Sequence, residues 1–300
     1  KVHIVANPAT GKHSPVLRTL NDHFRPAGIH WQVSVTHDPG DGARLAREAV
    51  DSGAEVIGVF GGDGTIRDVA SALIGSEIPM LILGGGTGNL MATELNLPLS
   101  LNRACRLICG KEYQTRDVDV GKMGEHYFLH RIGCGIESDV LNDASREMKK
   151  QFGKWAYIFA SVKALQEIPV ADYTITLDEG ETIKGRGVAC AVANAGAIGI
   201  GKLTLSKAIG LDDGKLDVIL LRTAHLEGII SLARMIMGIE SDGPQDPDLR
   251  LDASDLVNHW QVRSVRIESD PIQKIQADGD LVARTPQLIE VLPGALRVVI

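Results

Sequence analysis

Short apolar runs alternate with helical patterns from the start of the chain to about residue 110, and most runs end in glycine or a small polar residue. "VHIVAN", "HWQVSVT", "EVIGVF" and "PMLILG" read as strands, while "SPVLRTLNDHF", "GARLAREAVDSG" and residues 66–73 carry helical spacing. Strands alternating with helices over short loops are the pattern of parallel βαβ units, so this part is expected to form a doubly wound α/β domain. In such folds ligands bind beyond the carboxyl ends of the strands. Four segments fall on that rim: 7–11, Thr36, 61–65 and 84–89.

From about residue 114 the texture changes to strand-like segments with tight turns, among them "TRDVDVGKMGEHYFLHRIGCG", "DYTITLDEGETIKGRGVACAVAN", "KLDVILLR" and "WQVRSVRIES". Helical stretches at 145–167 and 225–239 interrupt them, and "SDGPQDPDLRLDAS" (241–254) reads as an exposed loop. The pattern indicates two domains, 1–113 and 114–300. The second is a mainly antiparallel β-sandwich whose last strand is a candidate to return to the first domain.

Of the 300 residues, 44% are hydrophobic and 23% charged, which suits a globular protein rather than a disordered one. A net charge of -7 provides no basic footprint for nucleic acid, which is not an expected partner. Cys105, Cys109, Cys134 and Cys190 contain no CxxC pair and no zinc spacing, so free thiols in a reducing compartment are expected. The first residues read as a strand rather than a signal peptide, and the longest uncharged stretch is too short to span a bilayer. A cytoplasmic protein, peripheral at the membrane, is the expectation.

Neither common nucleotide signature is present: there is no GxxxxGK[ST] run, and no GxGxxG follows the first strand. Two glycine loops remain, "GGDGT" (61–65) and "GGGTGN" (84–89), each between an apolar strand and a helix. Glycines there let backbone amides point at phosphate oxygens, and the Thr65 or Thr87 hydroxyl can add a donor. A tight strand-to-helix turn would also use these residues. A carboxylate beside phosphates is unfavourable unless a cation intervenes or it handles a proton, which makes Asp63 a candidate for either task. His126 and His130, four apart in a strand-like segment, would share a face but make a poor zinc pair. The helix "LEGIISLARMIMGI" is apolar all round except at Glu227 and Arg234, which suits core packing or a wall for acyl chains. "KWAYIFASVKAL", with Trp155 and Tyr157, invites the same two readings.

"GGDGT" after a strand, with "NPATG" near the start and "GTGN" downstream, resembles the diacylglycerol kinase catalytic fold shared with sphingosine kinases and bacterial soluble lipid kinases. The resemblance continues through "GKWAYIFASVKAL", "VANAGAIGIGKLTLSKAIGLDDGKLDVILL" and "IQADGD" in the family's order, over nearly the whole chain. NAD kinases and phosphofructokinases carry a similar pentapeptide; the later blocks point to lipid kinases. The resemblance implies ATP binding at Asn7, Pro8, Ala9, Thr10, Gly11, Thr36, Gly61, Gly62, Asp63, Gly64, Thr65, Asp68, Thr87 and Asn89. It implies a structural Mg²⁺ held by the Asp213 carboxylate and by carbonyls near Gly210 and Lys215. The proton acceptor falls on Asp280, the last residue of Asp278-Gly279-Asp280, with Asp63 as the second catalytic group.

Several positions depart from the family's pattern. Asp280 and Asp68 stand where Glu is usual, each one methylene shorter. "GGGTGN" replaces a Pro-x-Gly-Thr pattern, His130 a usual asparagine and Ser206 a usual proline. The implied activity is transfer of the γ-phosphate of Mg-ATP to the hydroxyl of diacylglycerol or a similar lipid alcohol. A kinase acting on a soluble alcohol such as NAD, or a nucleotide- or lipid-binding protein whose acids have drifted, is the alternative. Expected partners are the lipid alcohol, a membrane surface touched transiently and, as an allowed assembly, a second copy of the chain.

Overall fold

The computed structural model describes residues 1–10, 15–110, 112–135, 170–178, 180–196, 209–222 and 257–300. The helical stretches expected at 145–167 and 225–239, the loop 241–254, Gly11 and Ser206 lie outside the described residues.

Strands β1 (Val2–Ala6), β2 (Trp31–Val35), β3 (Val56–Gly61) and β4 (Met80–Gly84) pair in parallel in the order β2-β1-β3-β4. Helices α1 (Val16–Phe24), α2 (Asp41–Asp51), α3 (Asp63–Leu73), α4 (Leu90–Glu94) and α5 (Leu101–Cys105) cover both faces. Successive strand residues point to opposite faces, and the core divides accordingly. Ile4, Phe60, Leu81 and Leu83 meet Leu20, Phe24, Ala104 and Cys105 of α1 and α5. Val5, Ile57, Val59 and Ile82 meet Leu45, Ala46, Ile66, Val69 and Met91 of α2, α3 and α4. Burial on both faces explains why β1, β3 and β4 read as nearly unbroken apolar runs, whereas the edge strand β2 is only partly buried and alternates.

The rest of the described chain is β5 (Thr115–Met123), β6 (His126–Phe128), β7 (Arg131–Cys134), β8 (Ala171–Leu177), β9 (Thr182–Gly187), β10 (Ala189–Ala193), β11 (Leu216–Leu221), β12 (Val257–Val262), β13 (Ser264–Asp270), β14 (Lys274–Ala277), β15 (Asp280–Arg284) and β16 (Gln287–Val299). β16 joins the two halves of the molecule. It runs antiparallel to β13 and β5, bulges between Leu292 and Leu296, and then pairs in parallel with β4 through Val298 and Met80. The parallel sheet therefore continues into the second half in the order β4-β16-β13-β8-β9. A second, antiparallel sheet, β12-β11-β10-β7-β14-β15, packs on that extension. Phe128, Tyr173, Ile175, Val265 and Ile267 from one sheet meet Ile132, Cys190, Val192, Val218 and Ile275 from the other.

The expected fold class, a doubly wound α/β domain followed by an antiparallel sandwich, is the one observed. Two local differences matter for the site. α3 begins at Asp63 rather than at residue 66, because Gly62 is extended (φ -86°, ψ -178°) and its carbonyl accepts the Ile66 amide at 3.0 Å. Asp63, Gly64 and Thr65 are thus the first helical turn. His126 is exposed on β6 whereas His130 lies beyond that strand and is buried, so the two do not share one strand face. All four cysteines are free, and burial pushes the Cys105 thiol up to about 12.

Candidate active site

Winding reverses between β1 and β3, the place where an open α/β sheet leaves a crevice at its carboxyl edge. Asn7 follows β1 there and ties the rim together. Its Nδ2 donates to Thr65 Oγ1 at 3.1 Å, its Oδ1 accepts the Ala9 amide at 2.9 Å, and its carbonyl accepts the Thr10 hydroxyl at 2.9 Å. Thr65 is buried and braces Asn7, while Pro8, Ala9, Gly64 and Thr87 are exposed along the rim. Thr36, after β2, is buried and donates its amide to the Ala6 carbonyl at 3.0 Å.

The two glycine loops are pressed together. A Cβ on Gly86 would stand 2.7 Å from Gly62 Cα, and one on Gly61 would stand 2.5 Å from Thr65 Cβ, so neither position has room for a side chain. Asn89, left-handed at φ 48°, closes the second loop with paired bonds to the Gly86 amide and carbonyl at 3.1 and 2.9 Å. Gly64 differs: a Cβ there would meet nothing within 4 Å. The amides of the first turn of α3 have no intrahelical partner by the geometry of a helix start, and the helix dipole favours an anion beside them. A helix start of this kind, with an exposed glycine in its first turn, suits the phosphates of ATP.

Asp63 also holds the loops in place. Its Oδ1 accepts the Leu90 amide at 2.7 Å, so a carboxylate from α3 caps the first turn of α4, which Asn89 leaves without a side-chain cap. Its Oδ2 would touch a Cβ on Gly88 at 2.5 Å. The carboxylate is anchored at one oxygen, and the other lies along the second loop.

Across the cleft, β14 and β15 are joined by Asp278 and Gly279, both at positive φ (48° and 96°), as a two-residue hairpin requires. The carboxylates on either side of this turn have opposite surroundings. Asp278 accepts three amides: Leu129 at 2.8 Å on Oδ2, and His130 and Arg131, each at 3.0 Å, on Oδ1. Asp280 is exposed and, among the described residues, accepts from Arg67 Nη2 of α3 at 2.6 Å. Arg67 also lies 3.8 Å from Asp68, whose carboxyl is raised mainly by burial, and the Asp280 charge adds a smaller upward push. A cavity of about 230 Å³ opens beside this pair, lined by Arg67, Asp68 and Ser71 of α3, by Glu125, His126 and Tyr127 at the start of β6, and by Ala277 and Val282 of the hairpin strands. Burial also keeps the imidazole of His130 below its ordinary range, hence neutral at pH 7.

Gly210, Asp213 and Lys215 sit together against β5 and the bulge of β16, apart from the glycine rim. Asp213 Oδ1 accepts the Lys215 amide at 3.0 Å, and its Oδ2 lies 3.7 Å from the position of a Cβ on Gly210. Among the described residues Asp213 Oδ2 has no hydrogen-bond partner, and a carboxylate oxygen beside peptide groups fits a hard cation that completes its shell with carbonyls and water. Among the described residues, no three His, Cys, Asp or Glu side chains converge as a metal cluster, so backbone and water would supply most ligands to Mg²⁺. Desolvation raises the Asp213 carboxyl, with the charges of Asp217 and Asp119 adding to it.

Three structural contributors were not evident from the sequence. Buried Asp119 accepts the Gly214 amide at 2.7 Å and the Gly294 amide at 2.8 Å, tying loop 210–215 to β16. Buried Asn194 donates to the Asp119 and Leu129 carbonyls at 2.9 Å each. Arg67 is the third. Nothing in their local patterns announces them, because every partner but Asp68 is distant in the chain.

A parallel α/β unit with a glycine rim shares one strand, β16, with an antiparallel sandwich, and this two-part architecture is the one that known families match. The diacylglycerol kinase catalytic domain matches residues 1–123, and the YegS C-terminal NAD kinase beta sandwich-like domain matches residues 130–300. Proteins named "Probable lipid kinase YegS-like" from Pseudomonas savastanoi pv. phaseolicola and from Chromohalobacter salexigens are each 30% identical to the chain. They cover 88% and 94% of it, and 90% and 88% of their own lengths. The crystal structure of a diacylglycerol kinase from Bacillus anthracis matches all of the chain and 96% of its own, with a TM-score of 0.73 at 22% identity, a likeness of fold. The chain belongs to the diacylglycerol kinase catalytic family, in the branch that carries the YegS-type sandwich.

Proposed function

We propose that the chain is an ATP-dependent lipid kinase that transfers the γ-phosphate of Mg-ATP to the hydroxyl of diacylglycerol or a similar lipid alcohol. The observation that carries this proposal is that an exposed carboxylate, Asp280, is bridged by Arg67 to α3, the helix whose first turn carries the glycine-rim amides. Phosphoryl transfer depends on positioning and charge stabilisation more than on covalent chemistry. The amides of Asp63, Gly64 and Thr65 bind the phosphates, with Asn7 and Asn89 fixing the loops around them. Mg²⁺ supplies charge neutralisation and orientation when bound. Asp280 accepts the proton of the attacking hydroxyl, a task that needs hydrogen-bond reach and a free oxygen. Asp278 is unsuited to replace it, since both its oxygens already accept backbone amides.

The lipid alcohol reaches the cleft from a membrane surface that the chain visits peripherally. Among the described residues no helix is long and apolar enough to cross a membrane. The test is transfer of labelled phosphate from Mg-ATP to a panel of lipid alcohols in mixed micelles, with NAD as the soluble control. Product with a lipid alcohol and none with NAD is expected. Product with NAD alone would overturn the proposal, and ATP binding with no transfer to any acceptor would mark a binding protein.

A further inference from the structure

Arg67 stands between the two halves of the site. It lies one turn beyond Asp63 on α3, and side chains of a helix lean toward its N-terminus, so the turn that carries the cradle amides is within reach of Arg67. Its Cα is about 3 Å along the helix axis from that of Thr65. Even so, its guanidinium is engaged on the far wall of the cleft, donating to Asp280 Oδ2 at 2.6 Å and to the Ala277 carbonyl at 3.4 Å. The two partners are unequal, with 63% of the Asp280 side chain exposed against 21% for Arg67.

Two physical consequences follow from this contact. While Asp280 Oδ2 accepts the Arg67 guanidinium at 2.6 Å, that oxygen is occupied and cannot at the same time receive a hydrogen bond from a substrate hydroxyl along the same direction. An ion pair this open to water is also weakly held. A terminal phosphate carries more charge than a carboxylate, and guanidinium groups bind phosphate in bidentate geometry. The cavity of about 230 Å³ beside Arg67, Asp68 and Ala277 leaves the side chain unpacked on that side, so leaving Asp280 breaks few packing contacts there.

We propose that Arg67 holds Asp280 in the nucleotide-free protein and exchanges it for the terminal phosphate once nucleotide fills the cradle. The exchange releases Asp280 as a base only when a phosphoryl donor is in place, and it brings the guanidinium to where negative charge is spread during transfer. Asp68, 3.8 Å from the guanidinium, remains beside it as a guide on α3. The proposal rests on Asp280 as the proton acceptor, but its test does not.

Structures of the full chain with Mg²⁺ and ADP, and with Mg²⁺ and a non-hydrolysable ATP analogue, test it directly. The expected result is a closed Arg67–Asp280 pair with ADP and, with the analogue, a guanidinium on the γ-phosphate and off Asp280. In calorimetric titrations Arg67→Ala should weaken the analogue about tenfold and ADP less than about twofold, with Arg67→Lys in between. An ion pair that stays closed with the analogue, or an equal loss for both nucleotides, would overturn the exchange. Turnover retained by Asp280→Asn would instead remove Asp280 as the base and leave the exchange standing.

Discussion

The glycine rim of the first domain and the β14–β15 hairpin of the second are linked through Arg67 of α3 and are built on opposite principles. The rim presents backbone: Gly62 and Gly86 pack against each other, Asn89 closes its own loop, and even Asp63 uses one carboxylate oxygen to cap α4. The hairpin presents side chains. Of its two carboxylates, Asp278 is absorbed by three amides, and Asp280 is left exposed with, among the described residues, a single cation from the other domain. A rim made of backbone is rigid and tolerant of what it holds. A hairpin made of side chains depends on which partner each carboxylate finds.

The sharpest way to break this comparison is to alter the two hairpin carboxylates separately. Asp280→Asn is expected to lower kcat about a thousandfold, within the range for loss of a general base, while the unfolding midpoint hardly moves. Labelled phosphate transfer and thermal melts on the same preparation read both quantities. Asp278→Ala should do the reverse in kind. It strands the Leu129, His130 and Arg131 amides and places alanine at φ 48°, for a loss of about 3 kcal/mol in denaturant unfolding. If Asp278→Ala folded as well as wild type but lost turnover, the division of labour within the turn would be inverted.

A second pair of substitutions sharpens the comparison on the rim. Gly86→Ala drives a Cβ to 2.7 Å from Gly62 Cα, an overpacking expected to cost about 2 kcal/mol. Gly64→Ala meets open space on the first turn of a helix, where alanine is intrinsically better by roughly 0.5–1 kcal/mol. Its stability should hold or rise while ATP binding falls about tenfold in a calorimetric titration. Equal stability losses at the two glycines would mean that Gly64 serves packing rather than a ligand.

What could be read in the sequence follows the same division. Strand alternation and the glycine loops were legible because backbone geometry demands particular residue types at fixed local spacing. The first turn of α3 was misplaced by three residues, since glycines that suggest a loop here open a helix. Asp119 passed as an ordinary polar position in "DVDVG" because its amide partners, Gly214 and Gly294, lie 95 and 175 residues on. Asp278 and Arg67 were obscured in the same way: their partners lie 147 to 149 and 213 residues away. Environment, rather than residue type, separates Asp278 from Asp280.

The smallest expected effect concerns two carboxylates beside the rim whose titrations should slope in opposite directions. Asp41, at the start of α2, accepts the His37 and Asp38 amides at 2.9 and 3.0 Å and Arg44 at 2.7 Å. The amides of Asp38 and His37, and then Arg44, hold its carboxyl below the ordinary carboxylate range. Its contribution is therefore present above the unfolded value, about 3.9, and is lost as pH falls through the lower folded value. Asp68 runs the other way. Burial raises its folded value, so the folded state binds more protons in that window and stability falls as pH climbs through it. Denaturant unfolding between about pH 2 and pH 6 should then show Asp41→Asn losing less stability on acidification than wild type. Asp68→Asn should lose less stability on the return to pH 6. Identical slopes in all three proteins would mean that neither carboxylate is held by the rim, and that the loop after β2 is fixed by its backbone alone.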